Sequence, residues 1–266
     1  MNVLSVKLIY FSPTGTTKKI LEGIAKGMGI ENIEHVGMTL PDATTKPLDS
    51  FTDELVVIGA PVYSGRLPDD AVKRFKRFRA ENTPAVMVVV YGNREYEDAL
   101  LELTNLSKDL GFVPISAGAF IGEHSYATKN VSIANGRPDT KDIEKATEFG
   151  AGIMRKMTDI QTLDGVSSLK VPGNFPYKDG MPSLPESPET LEEICTTCGT
   201  CADICPRAAI TVNDTVETNQ NLCIKCCACV KGCPESARVM DVPRIKGAAK
   251  WLNENYSLRK EPEVFI

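Results

Sequence analysis

Two cysteine runs near the C-terminal end constrain this chain more than anything else in it. The first reads Cys195-x2-Cys198-x2-Cys201-x3-Cys205-Pro206, and the second repeats it as Cys223-x2-Cys226-x2-Cys229-x3-Cys233-Pro234. The spacing is a matter of reach. Three thiolates two residues apart can wrap one metal–sulfur cube, while the fourth, set off by three residues and followed by proline, points away from it. Zinc is the alternative, because Cys-x2-Cys pairs also build zinc ribbons. A zinc site takes four ligands, however, and has no use for two identical runs of four that each end in Cys-Pro. The ninth cysteine, Cys227, sits beside a ligand and breaks the spacing if exchanged for one, so it reads as a small buried neighbour of the metal site. Disulfides are not expected. The eight spaced thiols are all claimed, and thiolate-bound clusters imply a reducing compartment.

The runs resemble those of bacterial ferredoxins that hold two [4Fe–4S] clusters. The resemblance implies that the fourth cysteine of each run serves the other run's cluster. One cluster then takes Cys195, Cys198, Cys201 and Cys233, and the other Cys223, Cys226, Cys229 and Cys205. An internal repeat accompanies the ligands: Cys-Pro-Arg-Ala-Ala-Ile at 205–210 matches Cys-Pro-Glu-Ser-Ala-Arg at 233–238. Such a unit, from about Leu191 to Val242, is too small to bury a large core and draws much of its folding energy from metal ligation.

At 266 residues the chain has room for one ordinary domain ahead of that unit. Its 42% hydrophobic and 24% charged content is that of a globular protein. The opening residues, MNVLSVKLIYFSPTG, carry only a short apolar stretch and no small-residue cleavage site. They read as neither a signal peptide nor a membrane span, so a cytoplasmic location is expected. A net charge of −5 argues against a nucleic-acid partner and for a protein partner with a basic docking face.

Along the chain, Leu4 to Phe11 is apolar and β-branched enough for a buried parallel strand. It runs into Ser12-Pro13-Thr14-Gly15-Thr16-Thr17, and then into a helical pattern over Lys18 to Met28 with Ile20, Leu21, Ile24 and Met28 on one face. This arrangement offers backbone N–H groups and hydroxyls to an anion at a helix N-terminus. It lacks the Gly-Lys-Ser/Thr element of a P-loop and any G-x-G-x-x-G. An ordinary Ser/Thr helix cap is the bland alternative. Further strands are expected over Asn32–Val36, Leu55–Ala60, Ala85–Tyr91 and Val113–Phe120, and helices over Asp69–Ala80, Arg94–Leu110 and Thr140–Met157. Five strands alternating with helices predict an α/β fold with a doubly wound parallel sheet and right-handed crossovers.

The Ser-x-Thr-Gly-x-Thr loop is similar to the phosphate loop of flavodoxins, which holds the monophosphate of FMN through N–H and hydroxyl donors; Pro13 removes one such N–H. The resemblance implies the strand order 2-1-3-4-5, with the flavin beyond the carboxyl ends of the strands. The expected FMN contacts are therefore Ser12, Thr14, Gly15, Thr16 and Thr17 after the first strand, Pro61, Val62, Tyr63, Ser64 and Gly65 after the third, and Tyr91, Gly92 and Asn93 after the fourth. The only tryptophan, Trp251, lies outside this domain, which leaves one flavin face open to a substrate or to a cluster. His124, after the fifth strand, is a candidate proton donor or flavin contact, or simply a loop histidine; His35 reads as structural.

The whole chain thus resembles a flavodoxin–ferredoxin fusion, an iron–sulfur flavoprotein type found chiefly in anaerobic bacteria and archaea. Its divisions are an FMN-binding domain at 1–158, a proline-rich linker at 159–190, the small α+β two-cluster unit at 191–242 and a tail at 243–266. In the linker Val171, Phe175, Tyr177 and Met181 are apolar enough to dock it as a strap, and the tail, with a short helix around Ala248–Tyr256, is expected to pack back on the body. The resemblance implies electron transfer between low-potential one-electron carriers and a flavin-level partner, through a redox protein such as a ferredoxin or another oxidoreductase. An oxidoreductase that reduces a quinone, nitro compound or other small acceptor at the flavin is the alternative. A redox sensor has no effector domain to support it, and a homo-oligomer stays open.

Overall fold

Strand and helix alternate through the first 159 residues of the computed structural model, which describes residues 3–45, 51, 54–166, 168–180 and 184–266. The order is β1 (Ser5–Tyr10), α1 (Thr16–Met28), β2 (Ile33–Gly37), β3 (Glu54–Pro61), α2 (Asp69–Phe75), β4 (Thr83–Tyr91), α3 (Ala99–Asp109), β5 (Phe112–Ile121) and α4 (Thr140–Asp159). The five strands are parallel in the order 2-1-3-4-5, as expected. β3 is buried along all but its last residue and β4 along its whole length, which is why both read as unbroken apolar runs. Leu8, Ile24, Val57, Val88 and Phe149 fill the core on the α1 and α4 face of the sheet. Phe11, Val56, Met87, Leu100 and Leu103 fill it on the α2 and α3 face.

α1 packs so closely on α4 that a Cβ at Gly27 would lie 1.9 Å from the Thr147 carbonyl oxygen. A glycine there lets the two backbones meet, and the contact fixes where the N-terminus of α1 points.

Two helices are shorter than their periodicity predicts. α2 stops at Phe75, five residues early, and continues as single turns through Phe78, whose ring is buried. α3 starts at Ala99 because Asn93 and Glu97 both hold positive φ, 63° and 45°, which interrupts a helix.

After α4 come β6 (Glu189–Thr190), α5 (Thr200–Asp203), β7 (Ile210–Val212), β8 (Val216–Thr218), α6 (Ala228–Lys231), β9 (Arg238–Val239), α7 (Pro243–Asn255) and β10 (Glu263–Phe265). β6 pairs with β9 and β7 with β8, both antiparallel. The cysteine repeat is also a backbone repeat. Thr197, Gly199 and Ala208 hold positive φ, and so do Lys225, Cys227 and Ser236 at the same offset that separates Cys195 from Cys223. α7 is longer than the expected tail helix, and β10 adds a sixth, antiparallel strand to the edge of β5.

The segment between α4 and β6 is docked. Asp98 accepts from the Asn174 and Lys178 N–H groups at 2.8 and 2.7 Å, and Arg66 donates to the Lys178 carbonyl at 2.6 Å while stacking over Tyr177. Burial works against the Asp98 charge, yet these N–H donors hold its carboxyl below the usual range. Val171 packs on the core, but Phe175, expected to do the same, is 75% exposed and touches Tyr177 edge-on. Met181 lies outside the described residues.

Candidate functional site

The loop after β1 forms a cradle at the N-terminus of α1. Gly15 holds φ +82° at the helix cap, its N–H donates to the Ser12 carbonyl at 3.2 Å, and the Lys18 N–H donates to Ser12 Oγ at 3.1 Å. The first N–H groups of the helix have no intrahelical acceptor. Beside them Thr17 Oγ1 is buried without a hydrogen-bond partner. A hydroxyl in that state costs about 1–3 kcal/mol until it meets an acceptor, so the cradle suits an anionic, oxygen-rich group.

Three further loops follow β3, β4 and β5, and the last of them reaches this cradle. After β3, the paired hydrogen bonds between Tyr63 and Arg66, with Ser64 and Gly65 at φ 55° and 83°, make a two-residue type I′ turn. The turn buries the Tyr63 hydroxyl beside Cys226, Cys227 and Tyr126, and burial first, then these neighbours, push its pKa well above the usual value. After β4, a Cβ on Gly92 would fall 2.3 Å from His124 Cδ2, so only a glycine lets that side chain approach the backbone so closely. After β5, a Cβ on Gly122 would fall 3.2 Å from Thr16 Oγ1, which brings the first and last loops together.

His124 Nδ1 accepts the Tyr126 N–H at 3.0 Å, so the ring proton sits on Nε2. Burial, helped by the charges of Lys231 and Arg94, pushes its pKa down to about 4. At neutral pH it is an uncharged hydrogen-bond donor rather than an acid. Two of the expected flavin contacts have spent their side chains elsewhere. Asn93 Nδ2 donates to the Tyr256 and Leu258 carbonyls at 2.7 and 2.8 Å, and Tyr91 is buried 5.4 Å from the Tyr96 ring. Tyr126 is the residue sequence reasoning passed over; its ring lies 5.0 Å from His124.

The cysteines line two cavities, and each cavity takes three from one run and one from the other. Cys195, Cys198, Cys201 and Cys233 line the first; Cys205, Cys223, Cys226 and Cys229 line the second. Cys198 is exposed, while Cys205, Cys226 and Cys229 are buried. Burial pushes the Cys226 thiol up to about 12, so a bound cation is needed to make its thiolate the stable form. Cys227 is 1% exposed, also lines the second cavity, and takes the left-handed conformation that Gly199 takes in the first run.

Residues 7–129 match the flavodoxin domain family, and residues 188–211 match the 4Fe-4S binding domain family. The chain is a flavodoxin domain joined to a 4Fe–4S domain. No curated protein matches it in sequence. A flavodoxin from the domain Archaea is 13% identical, covering 58% of this chain and 99% of its own, with a TM-score of 0.37. Flavodoxin 1 from Bacillus cereus is 16% identical over 57% of this chain and 97% of its own, with a TM-score of 0.38. Rubredoxin oxygen:oxidoreductase from Desulfovibrio gigas is 13% identical over 59% of this chain and 37% of its own, with a TM-score of 0.42.

The flavodoxin domain implies FMN and the 4Fe–4S domain a cluster, which makes the chain an electron-transfer flavoprotein. The orphaned Thr17 hydroxyl and the helix N-terminus fit the FMN phosphate. Thr17→Val is accordingly expected to weaken FMN binding by roughly 10- to 100-fold, the loss of one hydrogen bond to a charged group. Titration of flavin-free protein with FMN measures it, with iron content as the control; unchanged affinity would reduce the loop to a helix cap.

Proposed function

We propose that this flavodoxin–ferredoxin fusion moves electrons within one chain between a docked redox protein and FMN, through two [4Fe–4S] clusters. FMN exchanges electrons singly or in pairs and each cluster passes one at a time, so the fusion joins one-electron carriers to a flavin-level partner. Ser12, Thr14, Gly15, Thr16 and Thr17 hold the phosphate. The turn at Tyr63–Gly65, the Tyr91–Asn93 backbone and His124 Nε2–H frame the ring. Cys195, Cys198, Cys201 and Cys233 hold the outer cluster, and Cys205, Cys223, Cys226 and Cys229 the inner one.

The observation that carries this reading is the position of the second cysteine cavity. Its Cys226 and Cys227 act electrostatically on buried Tyr63, two residues past the end of β3, and Cys227 and Cys223 act likewise on Tyr126. Three contacts hold it there. Arg207 pairs with Asp70 at 2.7 Å, buried Arg74 donates to the Pro206 carbonyl at 2.6 Å, and Lys231 donates to the Ala127 carbonyl at 2.7 Å while pairing with Glu123. Arg207 and Pro206 directly follow Cys205, so the pins act on a ligand's own backbone. A cysteine cavity against the Tyr63 loop supports transfer to a cluster over reduction of a small acceptor at an open flavin face.

The first cavity is the port. Cys198 is exposed there, and Glu192, Glu193 and Glu235 are exposed close by in sequence. This supports a partner with a basic face. Among the described residues no helix is long and apolar enough to cross a membrane. A cytoplasmic setting suits an exposed thiolate cluster, which needs reducing surroundings.

Single-turnover reduction with a one-electron donor tests the reading. Flavin reduction should proceed at a rate independent of protein concentration once the clusters are reduced. Asp70→Arg, which sets three cations together with Arg74 and Arg207, should slow that step by on the order of tenfold or more, and adding Arg207→Asp should restore it. A rate proportional to the concentration of the intact protein would defeat transfer within the chain and point to a flavin–cluster contact across an oligomer.

A further inference from the structure

The loops after β4 and β5 meet where Gly92 lies against His124, and a residue beside each end of that contact is tied to the tail. Asn93 is 2% exposed and holds φ 63°. Its amide is spent wholly on tail backbone: Nδ2 donates to the Tyr256 and Leu258 carbonyls, and Oδ1 accepts the Lys260 N–H at 3.2 Å. The Lys260 carbonyl in turn accepts from Arg137 Nη1 at 2.7 Å. Arg137 is buried in a pair with Asp142, and its own carbonyl accepts the N–H of Glu123, the neighbour of His124, at 2.8 Å. The backbone of one tail residue thus joins the two loops, N–H to one and carbonyl to the other.

The tail is anchored without that bridge. β10 pairs with β5, and on α7 Ala249 and Leu252 pack with Ala127 and Ile133 of the β5 loop while Asn253 donates to the Ser132 carbonyl at 2.7 Å. The chain of contacts from Asn93 through Lys260 to Arg137 adds what those do not, a fixed span between the two loops. It also bears on the backbone of Asn93. A positive φ outside glycine is uncommon, and it persists where surrounding contacts over-determine it. The three hydrogen bonds to the tail supply such contacts, and Lys260 Nζ holds the next carbonyl, that of Arg94, at 2.6 Å.

We propose that residues 256–260 are a clasp on the flavin site, with Asn93 as a positioning residue. By holding the β4 and β5 loops at one separation, the tail forms the slot for the ring before FMN arrives. A site formed in advance spares the ligand the cost of ordering its loops. The ring site is then completed by residues far beyond the flavodoxin match at 7–129. The proposal rests on the placing of the ring between these loops given above.

Hydrogen exchange on flavin-free protein, FMN titration and visible circular dichroism of the saturated protein test it together. Asn93→Gly keeps the left-handed backbone but removes the amide. It should lose amide protection at 91–94 and 122–126 by about tenfold or more, with β1 and β3 unchanged. It should bind FMN at least about tenfold more weakly and alter the dichroism of the bound flavin. A chain ending at Leu258 keeps Asn93 and removes Lys260, and it should move all three readouts the same way. Unchanged affinity and dichroism in both variants overturn the proposal. So does a change confined to Asn93→Gly, which would place the role of that side chain in its own loop. Protection lost throughout the sheet in both also overturns it, because the tail would then be part of the fold and not a clasp. In the wild type, FMN should itself protect 91–94 and 122–126. If it protects neither, the placing of the ring fails and the clasp falls with it, a result visible before any variant is made.

Discussion

Cys205→Ser is expected to damage the same cluster as Cys226→Ser and to leave intact the cluster that Cys198→Ser damages. Cys205 belongs to the first run by sequence, but it shares its cavity with Cys223, Cys226 and Cys229. The reason lies in the Cys-Pro step. Cys205 follows the short helix α5 and its Sγ accepts the Ala209 N–H at 3.3 Å, which turns the thiol towards the second run; Cys233 repeats this with Ala237 at 3.2 Å. Iron should fall from about eight to about four per chain in each variant if the wounded cube is lost, two cubes of four being the full complement. EPR of the reduced proteins assigns the survivor. Should Cys205→Ser share its altered signal with Cys198→Ser, each run holds its own cube and the crossed ligation is wrong. Because Cys205 lies next to the residues that pin the unit to Asp70 and Arg74, Cys205→Ser should also slow flavin reduction more than Cys198→Ser slows it when electrons are supplied directly to the inner cluster.

Stripping the iron should unfold the small unit and spare the sheet. The buried cluster of that unit is Cys201, Cys205, Ala209, Ile210 and Cys229, so three of its five members are proposed ligands. Its strands run to two or three residues. So little apolar surface cannot offset the conformational entropy of ordering the unit without metal ligation. Hydrogen exchange on chelator-treated protein should lose amide protection by about 100-fold or more across residues 189–239, while β1, β3, β4 and β5 keep theirs. The tail gives an internal control. β10 pairs with β5 and Asn93 holds the Tyr256 and Leu258 carbonyls, so protection at Glu263–Phe265 should survive. Protection that persists in the stripped unit would mean that protein contacts alone hold it.

What could be read from the chain beforehand followed from local spacing. Strand–helix alternation and the all-apolar runs of β3 and β4 announce a buried parallel sheet, because only strands covered on both faces lose their polar alternation. Helix ends were less legible. Periodicity carries an apolar stripe past Phe75 and back to Arg94, but it is blind to the positive φ at Asn93 and Glu97 that the packed loops require. Phe175 misled for a similar reason. Apolar character marks it as a core candidate, yet the strap is held by backbone hydrogen bonds to Asp98 and Arg66, which ask nothing of that ring.

Local patterns along the chain were enough to expect the parallel sheet, and they alone single out the spaced cysteines and the Ser12–Thr17 loop as candidates, since each is written within a few residues or a few repeats. Long-range packing sets the rest: that Cys226 and Cys227 come near Tyr63, that the Asn93 side chain binds the tail and Tyr91 packs on Tyr96, and that the last residues add a strand to the sheet. Those outcomes depend on pairs such as Asn93 with Tyr256 and Arg74 with Pro206, 163 and 132 residues apart. Contacts at such separations are set by the packing of finished elements, and no local spacing encodes them.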